Sequence, residues 1–201
     1  MSFLNPYIIG ITGGIGSGKS VVSHLIHLMG IPVYNCDNEA KRLMNENDSI
    51  HNALVETIGN EIYDATGKLN KKELAAYMFD SPERVKLINN IVHPAVRADF
   101  KQWAQHIGKA VIAVESAILS EAGMDADVNT VVLVYAPETL RLQRTILRDT
   151  TDEQSVRSRM QHQQNEQEYM QHADIFICND GTSSLISQIQ NLLQRIYGQQ
   201  I

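Results

Sequence analysis

The run Gly13-Gly14-Ile15-Gly16-Ser17-Gly18-Lys19-Ser20 constrains this chain more than any other, because it meets every fixed position of the phosphate-binding pattern G-x-x-x-x-G-K-[ST]. Its flanks supply the setting that pattern needs. Tyr7-Ile8-Ile9-Gly10-Ile11-Thr12 reads as a short buried strand. Val21 to Met29 reads as a helix with Val22, Leu25, Ile26 and Met29 on one side. Gly13, Gly16 and Gly18 let the backbone turn and bring its N–H groups close to phosphate oxygens, and the helix N-terminus adds a favourable dipole end. Lys19 is expected to reach the β- and γ-phosphates, and the Ser20 hydroxyl to ligate Mg²⁺. The sequence thus predicts a nucleoside triphosphate site lined by Gly14, Ile15, Gly16, Ser17, Gly18, Lys19, Ser20 and Val21.

A chain of 201 residues can bury a substantial core without disulfides or metals. Cys36 and Cys178 are far apart and form no C-x-x-C, so they read as small buried residues in a reducing compartment. The N-terminal residues show no basic stretch followed by an apolar run, and no segment approaches ~20 apolar residues. The expectation is a cytoplasmic protein with no membrane partner. A net charge of −6 argues against general nucleic-acid binding, which needs a basic face. The distribution of charge is more informative. Arg141, Arg144, Arg148, Arg157 and Arg159 fall within one short segment that holds only three acidic residues, Asp149, Asp152 and Glu153. Guanidinium forks match phosphate, so this segment reads as a local polyanion site.

Strand-length apolar runs alternate with helical patterns. Further strands are expected at Ile31–Cys36, Val111–Val114, Thr130–Ala136 and Asp174–Cys178, with helices including Pro137–Arg148 and Thr182–Tyr197. Such alternation predicts an α/β fold in three layers, a phosphate-loop NTPase core built on a five-stranded, mainly parallel sheet. Two intervals break the rhythm. Residues 38–107 read as a helical substrate-binding insertion, with helices at Asn38–Glu46, Ser49–Ile58, Lys71–Phe79 and Ser81–Ile107; Pro94 is expected to kink or restart the last one after His93. Residues 149–172 are polar with few core positions and read as a helical lid. The nucleotide core is then 1–37, 108–148 and 173–201, within one domain spanning about 7–198.

A GTPase would need D-x-x-G at a strand end and an N-K-x-D base reader after a later strand. Asp64-Ala65-Thr66-Gly67 and Asn70-Lys71-Lys72-Glu73 approach these by letter, but six residues apart and without strands, so they read as a turn and a helix cap. A small-molecule kinase instead needs a base beside the acceptor hydroxyl and mobile arginines. Asp37, just past the second strand, is the candidate base, with helix capping as its other role. Glu115 ends the third strand after four apolar residues, where a carboxylate can orient Mg²⁺. Glu121 follows as a cap or pocket residue.

These residues resemble the dephospho-CoA kinase family. The opening Ile11-Thr12-Gly13-Gly14-Ile15-Gly16-Ser17-Gly18-Lys19-Ser20 looks like that family's first strand and loop. Asp37 matches its D-A-D segment, and Ile91-Val92-His93-Pro94 its helical H-P signature. Glu115 to Glu121 lines up with its D-x-P-L-L-x-E. Leu142-Gln143-Arg144 to Arg148-Asp149, Arg159 to Gln163, and Asn179-Asp180-Gly181 resemble the segments before, within and after its lid. The resemblance implies that MgATP phosphorylates the 3′-hydroxyl of dephospho-CoA to give CoA and ADP; the chain is expected to be a monomer or weak homo-oligomer. The resemblance further implies Asp37 as the base, Thr12 near the acceptor, Arg144 on ATP phosphate or adenine, Asn179 near the adenine, and His93 and Glu115 toward substrate.

Departures from the family pattern are Val21 for the usual Thr, Ala117 for Pro, and Asn165 and Tyr169 where many members have Pro and Lys. Two other readings stand beside this one: a phosphate-loop kinase for a nucleoside or sugar, and a nucleotide-binding regulatory protein without turnover. An acceptor pocket discriminates the first, and a functional carboxylate at Asp37 the second.

Overall fold

The computed structural model describes residues 5–79, 81–161, 163 and 166–198. Its elements run β1 (Tyr7–Thr12), α1 (Lys19–Leu28), β2 (Val33–Asn35), α2 (Cys36–Glu46), α3 (Asp48–Ile58), α4 (Lys71–Met78), α5 (Pro82–His106), β3 (Val111–Glu115), β4 (Thr130–Tyr135), α6 (Glu138–Asp149), α7 (Glu153–Gln161), α8 (Glu166–His172), β5 (Ile175–Cys178) and α9 (Leu185–Gly198). The strands form one sheet in the order β2-β3-β1-β4-β5. β1 pairs in parallel with β3 and β4, and β4 in parallel with β5. The chain divides into two compact units, Met1–Tyr34 with Gly108–Ile201, and Asn35–Ile107.

In the first unit, β3 is buried along its whole length and β4 at five of its six positions, the signature of strands covered on both faces. On one face Ile9, Ile11, Val111, Ala113, Val132, Val134 and Ile177 pack against Val22 and Ile26 of α1 and Ile189, Leu192 and Ile196 of α9. On the other, the β3–β4 connection closes over β1. A side chain at Gly10 would come within 2.7 Å of Leu119 and 3.1 Å of Val128. The order of strands reverses at β1, with β3 on one side and β4 on the other, so the crevice beyond its carboxyl end is where open α/β sheets bind ligands.

The second unit is helical. Leu43, Met44, Ile50, Leu54, Ile62, Ile88, Val92, Val96, Phe100 and Ala104 are among its buried positions. Arg42 of α2 donates to both carboxylate oxygens of Asp99 on α5 at 2.9 Å, and to Glu39 and Glu46 on its own helix. Asp64 accepts from the backbone N–H groups of Thr66 and Lys68, and Asn70 caps α4 through Lys72 and Glu73. The letters that approach a GTPase signature are thus a turn and a cap.

Two local expectations are corrected. α5 does not restart after His93 but is assigned as one helix of 25 residues through Pro94. An interior proline costs about 3 kcal/mol through its missing N–H and ring clash. Burial of Ile88, Val92, Val96 and Phe100, spaced by four along both sides of Pro94, offsets that cost. β2 is also shorter than expected: Asn35, not Asp37, is the N-cap of α2, accepting from the Asn38 N–H at 2.9 Å, so the helix already begins at Cys36.

Candidate active site

The site in the first unit grows from the turn between β1 and α1. Two of its glycines are required by both backbone and space. Gly18, at φ 92°, is the N-cap of α1, and a Cβ there would lie 2.1 Å from Asn179 Nδ2. Gly16, at φ 76°, would place a Cβ 2.3 Å from the Arg141 carbonyl oxygen and 2.6 Å from Thr145 Oγ1. The loop is therefore clamped between α6 and the turn after β5.

Its charged groups are already oriented. Lys19 Nζ donates to the Gly13 carbonyl at 2.7 Å. Ser20 Oγ donates to Glu115 Oε1 at 2.9 Å, and Glu115 is buried at the end of β3. Asn179 Nδ2 donates to the Ser17 carbonyl at 2.8 Å, while Arg144 donates to the Asn179 carbonyl at 2.9 Å and to its Oδ1 at 3.4 Å. Arg144 and Asn179, expected at the nucleotide, thus form one hydrogen-bonded chain running into the loop. The side chain of Val21 is exposed at the start of α1.

Two hydroxyls at the loop, Thr12 Oγ1 and Ser17 Oγ, are buried without a hydrogen-bond partner among the described residues. Burying a hydroxyl unpaired is costly, so both are open to a further partner; Ser23 Oγ of α1 is buried in the same way. Ser17 also lines a cavity of about 320 Å³ with Gly14, Tyr135, Glu138, Arg141, Arg157 and Tyr169 among its walls. Gln163 reaches the loop, its Oε1 accepting from the Ile15 N–H at 2.7 Å.

Within 149–172 the described residues include α7 and α8, with Val156 and Tyr169 buried and the Tyr169 hydroxyl donating to the Ala117 carbonyl at 2.8 Å. Arg148 and Arg159 both bond Asp149, holding its carboxyl down to about 2. Arg157 bridges Glu138 and Glu153. Asn165 lies outside the described residues.

Asp37 and His93 belong to the helical unit. Asp37 is exposed in the first turn of α2 and, with Asn35 serving as the cap, is not committed to the helix end. His93 is half-buried on α5, and that burial pushes its imidazole below the usual histidine range. Its neighbour Pro94 lines an open cavity of about 500 Å³ with Leu43, Asn47, Ile50, Ile91 and Gln102.

The family model described as dephospho-CoA kinase matches residues 7–184. The chain belongs to the dephospho-CoA kinase family. A relative from Bacteroides fragilis named dephospho-CoA kinase is 43% identical over 190 residues, covering 94% of this chain and 92% of that protein. A crystal structure of a Thermus thermophilus protein superposes with a TM-score of 0.81 at 29% identity, over 96% of this chain and 98% of that one. Dephospho-CoA kinase from Campylobacter jejuni gives a TM-score of 0.70 at 22% identity, over 96% and 98%, which supports the fold.

Nothing in the letters separates Arg141 from the other four arginines of its segment or places Gln163 at the Ile15 N–H. The Arg-rich segment was the available signal. Which arginine faces the loop depends on helix phase and on ion pairs, and a run of letters carries neither.

Proposed function

We propose that the chain transfers the γ-phosphoryl group of ATP to the ribose 3′-hydroxyl of dephospho-CoA, releasing CoA and ADP, the final step in making coenzyme A. The observation that carries this reading is the family match over residues 7–184, joined to a phosphate loop at which Lys19, Ser20 and Glu115 are already grouped.

In this reading the loop N–H groups and Lys19 hold the triphosphate, and the chain Arg144–Asn179–Ser17 fixes the loop on its nucleotide side. Asp37 accepts the proton of the 3′-hydroxyl as its oxygen bonds to the γ-phosphorus and the bond to the β–γ bridging oxygen breaks. Thr12 offers a buried hydroxyl that lacks a partner among the described residues, which suits a contact to the acceptor. His93, and the open cavity of the helical unit lined by Leu43, Ile50, Ile91 and Pro94, suit the acceptor's longer arm. The Ser20 hydroxyl and Glu115 carboxylate are hard oxygen donors and fit Mg²⁺, which keeps most of its ligands from phosphate and water. When bound, the ion would neutralise charge on the phosphate oxygens. No helix among the described residues is long and apolar enough to cross a membrane, and both cysteines are free, which supports a cytoplasmic setting.

The test is product analysis. Incubation with MgATP and dephospho-CoA should add one phosphate, removable by a 3′-nucleotidase, with one ADP formed per CoA. ADP release without acceptor phosphorylation, or a phosphate at another position, would contradict the reading.

A further inference from the structure

Four of the five arginines between residues 141 and 159 already have partners: Arg144 bonds Asn179, Arg148 and Arg159 bond Asp149, and Arg157 bonds Glu138 and Glu153. Arg141 is the exception. Its guanidinium makes no hydrogen bond or ion pair among the described residues, yet it lies against the phosphate loop: a Cβ at Gly14 would be 2.3 Å from Arg141 Nη1. Lys19 Nζ lies by the same stretch of loop, bonded to the Gly13 carbonyl and 3.5 Å from that of Gly14. In a phosphate loop the lysine marks the β/γ end of the triphosphate. Two cations therefore flank the turn at Gly13–Gly14.

The cavity beside this turn repeats the pattern. Arg141, Arg157, Glu138 and the buried, unpartnered Ser17 hydroxyl line it together with Tyr169. Arg157 and Glu138 neutralise each other at 3.0 Å. Tyr169 contributes a neutral ring whose hydroxyl donates to the Ala117 carbonyl. The unneutralised positive charge of this wall is Arg141. A side-chain oxygen already sits where an anion's oxygen would: Gln163 Oε1 accepts the Ile15 N–H, 3.5 Å from the Cβ position at Gly14.

We propose that Arg141 is a catalytic residue that contacts the γ-phosphate of bound ATP from α6, and that the γ-phosphate displaces Gln163 from the Ile15 N–H. α6 is a firm base for such a contact. The Arg141 carbonyl accepts from Thr145 Oγ1 at 2.8 Å, and Gly16 packs against that same carbonyl, so helix and loop are fixed to each other. The base of the side chain is thus fixed beside the loop, and its guanidinium, unbonded among the described residues, is available to an anion there.

This proposal rests only on the nucleotide half of the functional reading, so it is tested without the acceptor. Calorimetric titration of the full chain with ATP and with ADP in Mg²⁺ buffer would compare wild type, Arg141→Gln and Arg141→Lys, with thermal melting to establish folding. A lost charge-assisted hydrogen bond corresponds to about 10–100-fold in affinity. Arg141→Gln should therefore lose ATP affinity on that scale while ADP affinity stays within about threefold. Arg141→Lys, which keeps the charge, should lose less. In the kinase assay Arg141→Gln should also lower kcat, by about 10²–10³-fold. Equal losses for ATP and ADP, or none for either, would overturn the assignment; failure of dephospho-CoA as acceptor would leave the ATP–ADP comparison intact.

Discussion

Ser20 Oγ, in the first turn of α1, donates to Glu115 Oε1 at the end of β3 across 2.9 Å. The two residues are 95 positions apart in the chain, and the parallel pairing of β1 with β3, which sets Ile11 opposite Glu115, brings them together. A carboxylate that orients a metal-binding hydroxyl is typically worth about 10–100-fold in metal affinity or activity. Glu115→Gln keeps the shape and removes the charge. It should raise the Mg²⁺ concentration needed for half-maximal rate by about that factor. An unchanged Mg²⁺ dependence would make Glu115 a structural strand-end residue.

Lys19 Nζ donates to the Gly13 carbonyl at 2.7 Å. Lys19→Ala removes a charge that acts most strongly as negative charge shifts in transfer. It should weaken ATP binding and lower kcat by at least about 10²-fold. Titration and steady-state kinetics check both, and unchanged values in both would refute the phosphate-loop reading.

Asp37 is exposed in the first turn of α2, and Asn35 does the capping. Asp37→Asn should therefore leave the melting temperature nearly unchanged and ATP affinity intact, while kcat falls by about 10²–10⁴-fold. A variant that melts much lower yet keeps its turnover would show that the carboxylate serves the helix instead.

Burial lowers the pKa of His93 in the folded state below its unfolded value. Between the lowered value and about 6.5 the unfolded chain binds more protons, so acid favours unfolding there. Stability linked to His93 is fully present above pH 6.5 and is lost as pH falls below it. Wild type should lose more melting temperature than His93→Gln between pH 7.5 and pH 5. Parallel losses would mean that His93 is solvated in the folded protein.

The sheet was legible because its strands are written as apolar runs: Val111–Val114 and Thr130–Tyr135 are buried almost throughout. The phosphate loop was legible because only glycine tolerates positions such as Gly18, pressed on Asn179. Local signals failed where distant packing decides. Pro94 reads as a break but sits within α5, between the buried Val92 and Val96. Capping, the second role read for Asp37, falls instead to Asn35, whose side chain accepts from the Asn38 N–H. Among the arginines, Arg148 and Arg141 look alike in sequence; the ion pair with Asp149 and the approach to Gly14 separate them only in three dimensions.

The central claim is that dephospho-CoA is the acceptor, and acceptor selectivity tests it most directly. An insertion of about seventy residues exceeds what closing the sheet needs, and binding energy from a remote arm can be used at the reacting centre. The measurement is kcat/KM for dephospho-CoA beside adenosine, AMP and a simple sugar under one MgATP concentration. The account predicts that dephospho-CoA exceeds each of the others by about 10²-fold or more, with truncated acceptors losing kcat as well as KM. A higher kcat/KM for adenosine, AMP or the sugar would contradict it.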